Sequence, residues 1–158
     1  MEPQIVDADK IDIERLIEIY SSPHLYHSKE EATWFVKPFF EYHHIKIVKI
    51  EGRVIGALFW KVVEEKHHGL AEIGEFWIDE SFRRKGFGER LLRTGINDIK
   101  QFYARNNQKL RKVLVTTSED NEPARNLYEK VGFEKSAALP DLFGEGETEL
   151  VYILTIRS

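Results

Sequence analysis

The chain has 158 residues, a net charge of -4, a pI near 5.9, 42% hydrophobic and 32% charged residues, which fits one globular domain over 1–158, able to bury roughly 70% of its unfolded surface. The acidic balance argues against nucleic acid as a partner, and the absence of Cys excludes disulfides, thiolate metal sites and a cysteine nucleophile. No apolar run is long enough to cross a membrane, and the start MEPQIVDADK lacks the basic-then-apolar layout of a signal peptide, so the reading is a cytoplasmic protein with no membrane partner.

In chain order, IVDA from Ile5 reads as a short strand. Ile13, Leu16, Ile17 and Tyr20 follow at helical spacing, in a helix started near Asp9 or Asp12. SSPHLYHS is a loop. Ser28 and Glu31 form a capping box for a second helix, with Ala32, Phe35, Val36, Phe39 and Phe40 on one face and Pro38 expected to kink or shorten it. HIKIVKIEGRVIGALFWKVV, broken at Glu51-Gly52, predicts a hairpin, and LAEIGEFWID a further strand. A long helix follows, with Leu91, Leu92, Gly95, Ile96, Ile99 and Phe102/Tyr103 inward. KVLVTT is a strand. SEDNEPARNLYEKVGF is a helix with Pro123 in its first turn and Gly132 at its end. FEKSA and ETELVYILTIR close the chain as strands around the loop ALPDLFGEGE. The order β-α-α-β-β-β-α-β-α-β-β implies an α/β (α+β) fold, a mixed sheet with helices on its faces.

The segment FRRKGFGERLL places Arg83, Arg84 and Lys85 ahead of Gly86 and Gly88 at the mouth of the long helix. A glycine turn there offers unpaired N–H groups and the positive end of the helix dipole. With Arg83, Arg84, Lys85, Phe87 and Glu89 around it, the stretch reads as a phosphate site. A Walker A loop would need GK[ST], but Lys85 precedes Gly86; the dinucleotide fingerprint fails because Leu91 stands at its third glycine. What fits is R-x-x-G-x-G from Arg83 to Gly88. With the preceding strand, and with the downstream N-x-x-A-x-x-x-Y-x-x-x-G-F block of Asn121, Ala124, Tyr128, Gly132 and Phe133, the chain resembles the GNAT superfamily of acyl-CoA-dependent N-acetyltransferases. Glu80, where many members have Pro, is a small departure.

The resemblance implies acetyl-CoA as co-substrate, its pyrophosphate on the Arg83–Glu89 loop. It implies the backbone of Trp77 and Ile78 along the pantetheine arm, the Ile78 N–H serving the oxyanion, and Asn121 and Ala124 beside the same arm. It makes Tyr128 the acid that protonates the departing thiolate. Asn121 could instead simply cap its helix, and Tyr128 could simply pack. An amine of pKa ~10.4 must lose a proton before attack. Glu72 is the candidate base, with burial in the sheet expected to favour its protonated form. Glu75 is its rival, of opposite strand parity unless a bulge intervenes. His43-His44 and His67-His68 lack the spacing of a metal motif, and no metal is expected.

The reading is an N-acetyltransferase acting by direct attack of an amine in a ternary complex. Its rivals are an acyl-CoA-binding regulatory module without turnover and a phosphate-loop nucleotide binder. The final strand offers an edge for a homodimer. Asp141, Glu145 and Glu147 beside Leu139, Leu142 and Phe143 suggest an acidic entrance for a cationic acceptor, flanked in similar proteins by this loop and SSPHLYHS.

Overall fold

In the computed structural model, which describes residues 2–22, 25 and 28–157, the strands are β1 (Gln4–Asp7), β2 (His44–Ile50), β3 (Arg53–Val62), β4 (Leu70–Ile78), β5 (Lys112–Ser118), β6 (Glu134–Pro140) and β7 (Thr148–Thr155). The helices are α1 (Ile13–Tyr20), α2 (Lys29–Tyr42), α3 (Phe87–Arg105) and α4 (Glu122–Val131). This is the order expected from the sequence. The strands form a seven-stranded mixed sheet in the order β1-β2-β3-β4-β5-β7-β6. Only β4 and β5 pair in parallel among the registered pairs; β1–β2, β2–β3, β5–β7 and β6–β7 are antiparallel.

The chain forms two compact units, Met1–Trp60 with Glu75–Leu91, and Lys61–Gly74 with Leu92–Ser158. Neither is continuous in sequence, and β3, β4 and α3 each contribute residues to both.

In the first unit both aspartates weighed as helix starts are used. Asp9 accepts from the Lys10 N–H and Asp12 from the Asp9 N–H, at 2.6 and 2.8 Å, in a reciprocal capping box on a 3-10 turn before α1. Asp12 is buried, and the Lys49 ammonium at 2.7 Å compensates its charge. Leu16, Ile17, Val36, Ile47 and Ala57 fill the core around Phe59. Tyr20 and Phe39 meet the Phe59 ring edge-on, with centroids 5.3 and 5.2 Å away. Ser28 caps α2 as expected, accepting from the Glu31 N–H at 3.1 Å. Pro38 does not shorten α2, which continues to Tyr42. The carbonyl that loses its donor belongs to Trp34, and both Trp34 and Pro38 lie on the exposed face, where water can serve it. The β2–β3 hairpin turns on Glu51 (φ 50°) and Gly52 (φ 78°), two successive left-handed residues that suit a two-residue loop.

In the second unit Leu92, Ile96, Ile99 and Tyr103 of α3, Val113 and Val115 of β5, and Leu150 and Tyr152 of β7 are buried. The Tyr103 hydroxyl donates to the Leu70 carbonyl at 2.9 Å, and burial raises its pKa above the usual phenol value. Strand β6 runs to Pro140, so Ala138–Pro140, expected as loop, belong to the final hairpin. Its actual loop, 141–147, is closed by backbone bonds from Asp141 N–H to the Glu147 carbonyl and Glu147 N–H to the Gly144 carbonyl.

Candidate active site

The passage from β4 to α3, inside the first unit, is tightly specified. Asp79 accepts from the Ser81 N–H at 2.9 Å and pairs with Arg53 at 3.1 Å. Arg83 turns back and its Nε donates to the Ile78 carbonyl at 2.9 Å. Its charge is thereby committed to holding the turn, while Arg84 and Lys85 stay exposed, the Lys85 ammonium 5.5 Å from the Phe82 ring. Arg84 (φ 60°) and Gly86 (φ 84°) are both left-handed. For Arg84 that conformation costs about 1–2 kcal/mol; Gly86 adopts it freely. A Cβ built on Gly86 would meet no protein atom within 4 Å, so the space over this turn is open. The first helical bond runs from the Arg90 N–H to the Gly86 carbonyl at 3.1 Å. The N–H groups of Phe87, Gly88 and Glu89 precede it and have no partner within the helix. Donors, dipole and cations converge on one open turn, which suits an oxyanion and fits the pyrophosphate of a coenzyme A.

Strand β4 leads into this turn and carries both candidate bases. Its bonds to β3 at the two ends run from the Val63 N–H to the Leu70 carbonyl at 2.9 Å and from the Asp79 N–H to the Ile55 carbonyl at 2.8 Å. Between them β3 covers eight steps (Val63 to Ile55) and β4 nine (Leu70 to Asp79). Strand β4 therefore holds one surplus residue, a bulge. Burial agrees: Ala71 and Ile73 are buried, and then Ile78 of the opposite parity. Strand parity thus no longer separates Glu72 from Glu75. Glu72 is only partly buried, its side chain 32% exposed, and its carboxylate lies 3.8 Å from the Lys61 ammonium. The Trp77 carbonyl lies against Gly56 of β3, 3.2 Å from the position a Cβ would take there. Backbone groups alternate between strand edges, so Ile78 directs its N–H to the edge away from β3. Strand β4 pairs with β5 over Leu70–Ile73.

In the second unit α4 carries the downstream block. The Asn121 side chain caps it, accepting from the Ala124 N–H at 3.3 Å. Gly132 closes it at φ 114°. Tyr128 is buried to 4% exposure, its ring 5.7 Å from Phe133 and 5.9 Å from Tyr152. A network that composition did not reveal fixes the helix. The Tyr152 hydroxyl donates to Glu129 at 3.0 Å and accepts from Arg125 at 3.4 Å, while Arg125 also donates to the Glu119 carbonyl at 3.0 Å. The hydrogen bond to Tyr152 raises the pKa of Arg125. The network links residues remote in sequence, and only the β5–β7 register brings Tyr152 to α4.

On the final hairpin Asp141 accepts from the Gly146 N–H at 2.7 Å, while Leu142 and Phe143 are 49% and 74% exposed. Of SSPHLYHS, Pro23, His24, Tyr26 and His27 lie outside the described residues. His44 stacks on Trp60 at 3.9 Å and His67 sits 3.1 Å from Glu65. Among the described residues no three metal-ligating side chains come together, and no helix is long and apolar enough to cross a membrane.

The sequence profile of the Acetyltransferase (GNAT) family matches residues 13–133. The chain belongs to the GNAT family. Its members are acetyl-CoA-dependent acyltransferases, and this chain is one of them. It is 30% identical over 111 residues to the spermine/spermidine N(1)-acetyltransferase of Bacillus subtilis (strain 168), covering 66% of this chain and 69% of that protein. It is 26% identical to the N-alpha-acetyltransferase of Sulfurisphaera tokodaii, over 91% of this chain and 84% of that one. Among solved structures, the ribosomal-protein-S18-alanine N-acetyltransferase of Escherichia coli superposes with a TM-score of 0.80 at 17% identity, covering 99% and 96% of the two chains. An acetyltransferase of Salmonella typhimurium solved with its cofactor acetyl-CoA gives 0.77 at 17%, covering 100% and 96%. Both share the GNAT fold.

Because Asn121 is the cap of α4, Asn121→Ala should cost about 1 kcal/mol of stability, whereas Asn121→Asp should leave stability nearly unchanged. Chemical denaturation of the three proteins checks this.

Proposed function

We propose that this GNAT enzyme acetylates a primary amine on a cationic acceptor by direct attack in a ternary complex. The observation that carries the donor half is the open left-handed turn at Gly86 with the N–H groups of Phe87, Gly88 and Glu89 behind it. Arg84 and Lys85 add charge there. The Ile78 N–H lies on the strand edge suited to the pantetheine arm and the developing oxyanion. Phe76 shares that edge, and Trp77 contributes its place in the strand more than its own backbone groups. Asn121 keeps its two amide N–H donors for the arm while its oxygen caps α4, and Ala124 keeps the adjoining surface small.

Acetyl-CoA supplies an activated thioester. Glu72, or Glu75 on the far side of the bulge, takes a proton from the acceptor ammonium, directly or through water. The Lys61 ammonium, 3.8 Å from Glu72, stands as the neighbouring counter-charge. The freed amine nitrogen bonds to the thioester carbonyl carbon and the C–S bond breaks; Tyr128 donates its hydroxyl proton to the departing sulfur, and the nitrogen's second proton passes through solvent to restore the phenol. On this reading Tyr128→Phe binds acetyl-CoA almost normally and turns over ~10²–10⁴-fold more slowly. Turnover near wild type across the pH range would make Tyr128 a packing residue. Release of free thiol with an amine panel separates the enzyme from an acyl-CoA-binding module without turnover.

Two observations support a cationic acceptor. Asp141, Glu145 and Glu147 sit on one exposed hairpin loop with Leu142 and Phe143, and the Bacillus subtilis relative is named for spermine and spermidine. A protein N-terminus is the second reading, favoured by the relative from Sulfurisphaera tokodaii. Spermidine and a basic peptide with a free N-terminus are the acceptors to compare. Neutralising Asp141, Glu145 and Glu147 together should raise KM for the amine and remove its salt dependence, with KM for acetyl-CoA unchanged. An unchanged amine KM at low salt would exclude an acidic entrance. The final strand, β7, has no free edge, since it pairs with both β5 and β6, so the edge expected there for a homodimer is absent; β6 is the sheet's edge, and we propose it for any pairing with a second copy.

A further inference from the structure

Phe82 stands half-buried in the passage from β4 to α3, its ring 6.2 Å from that of Phe87 at the head of α3. Two cations from different elements lie over it. The Arg53 guanidinium, from the start of β3, is 5.9 Å from the ring centroid, and the Lys85 ammonium, next to Gly86, is 5.5 Å from it. Both are within reach of a cation–π attraction, in which the negative face of the ring draws the charge. The two cations are not equivalent. Arg53 also pairs with Asp79 at 3.1 Å, so the two charges offset each other. The other Asp79 oxygen accepts from the Ser81 N–H at 2.9 Å. Lys85 pairs with no carboxylate among the described residues.

That difference bears on anion binding. A carboxylate would fix an ammonium and cancel its charge together, whereas a ring quadrupole fixes it and leaves the net charge intact. Of the three consecutive cations, Arg83 is spent on the Ile78 carbonyl at 2.9 Å, and Arg84 makes no hydrogen bond or ion pair among the described residues. Lys85 is the one of the three that a side chain positions without neutralising it. Holding its flexible stem before the ligand arrives lowers the ordering cost of binding. We propose, on the reading of the Gly86 turn as the pyrophosphate site, that Phe82 is a positioning residue for acetyl-CoA binding. Its ring holds the Lys85 ammonium ready for the donor's phosphates, and Arg53 offsets the Asp79 carboxylate that would otherwise repel them.

The test is calorimetric titration of the full chain with CoA and with pantetheine, which lacks the pyrophosphate. The native protein is compared with Phe82→Leu, Phe82→Tyr, Lys85→Met and the double variant Phe82→Leu/Lys85→Met. Leucine keeps an apolar side chain against Phe87 but has no quadrupole; tyrosine keeps both. The expected result is a Kd for CoA raised about two- to fivefold in Phe82→Leu, the range of an exposed cation–π contact. Pantetheine should bind that variant as it binds the native protein, Phe82→Tyr should restore CoA affinity, and the double variant should lose no more than Lys85→Met. Lys85 is exposed, so Lys85→Met should fold; it should lose at least as much CoA affinity as Phe82→Leu, again with pantetheine unaffected. Native CoA affinity in either single variant, Phe82→Leu or Lys85→Met, would overturn the proposal. So would an equal loss for CoA and pantetheine in Phe82→Leu, which would make Phe82 a packing residue. Gly86→Val separates this role from the donor site. CoA affinity lost there but kept in Phe82→Leu strikes the role of Phe82 alone, whereas native CoA affinity in Gly86→Val strikes the donor site and this role with it.

Discussion

Between Ile78 and Phe87 the chain must leave an extended strand and enter a helix without using the helix's first N–H groups on its own cap. Three local devices meet that demand. Asp79 organises the 3-10 turn, the Arg83 guanidinium returns to the Ile78 carbonyl, and the left-handed pair Arg84 and Gly86 swings the backbone into α3. The outcome is a helix start preceded by a turn at Gly86 with open space over it. On the proposed reading an acidic chain holds an anionic ligand at this turn, because the relevant field is that of one turn and one dipole rather than of the net charge.

The residues proposed for catalysis stand on secondary structure. Glu72, Glu75 and Ile78 are on β4, and Tyr128 is on a helix fixed to β7 through Tyr152, Glu129 and Arg125. The bulge in β4 follows from the unequal β3 and β4 step counts. Its consequence is chemical: two carboxylates three residues apart need not serve opposite faces. The final hairpin, by contrast, presents Leu142, Phe143 and its carboxylates in a loop closed by its own backbone bonds. Such a surface varies readily without disturbing the fold.

Element order and the glycine turn at the start of α3 were legible from the residues because each rests on local rules. Helical spacing at Leu16, Ile17 and Tyr20, the Ser28 cap, the Glu51-Gly52 turn and the glycines flanking Phe87 all act over a few residues. What escaped depends on register. The partner of Glu72 is Lys61, set by the β3–β4 pairing, and it leaves Glu72 less buried than expected. The extent of β6 is set by its partner β7 rather than by its own uncharged run ending in Pro140. The continuity of α2 through Pro38 reflects which face meets solvent, which sequence spacing alone did not decide. Asn121 carried two readings from the start; its capping bond is now seen, and its amide donors remain for a ligand.

The central claim is that the Gly86 turn and the start of α3 hold the pyrophosphate of the donor. Calorimetric titration of CoA against pantetheine, which lacks the pyrophosphate, tests it most directly. Two charge-assisted hydrogen bonds to the turn correspond to at least ~100-fold in affinity. The account predicts that pantetheine binds weaker than CoA by that factor or more, and that Gly86→Val lowers the affinity of CoA toward that of pantetheine. Equal affinities for the two ligands in the native protein would contradict it.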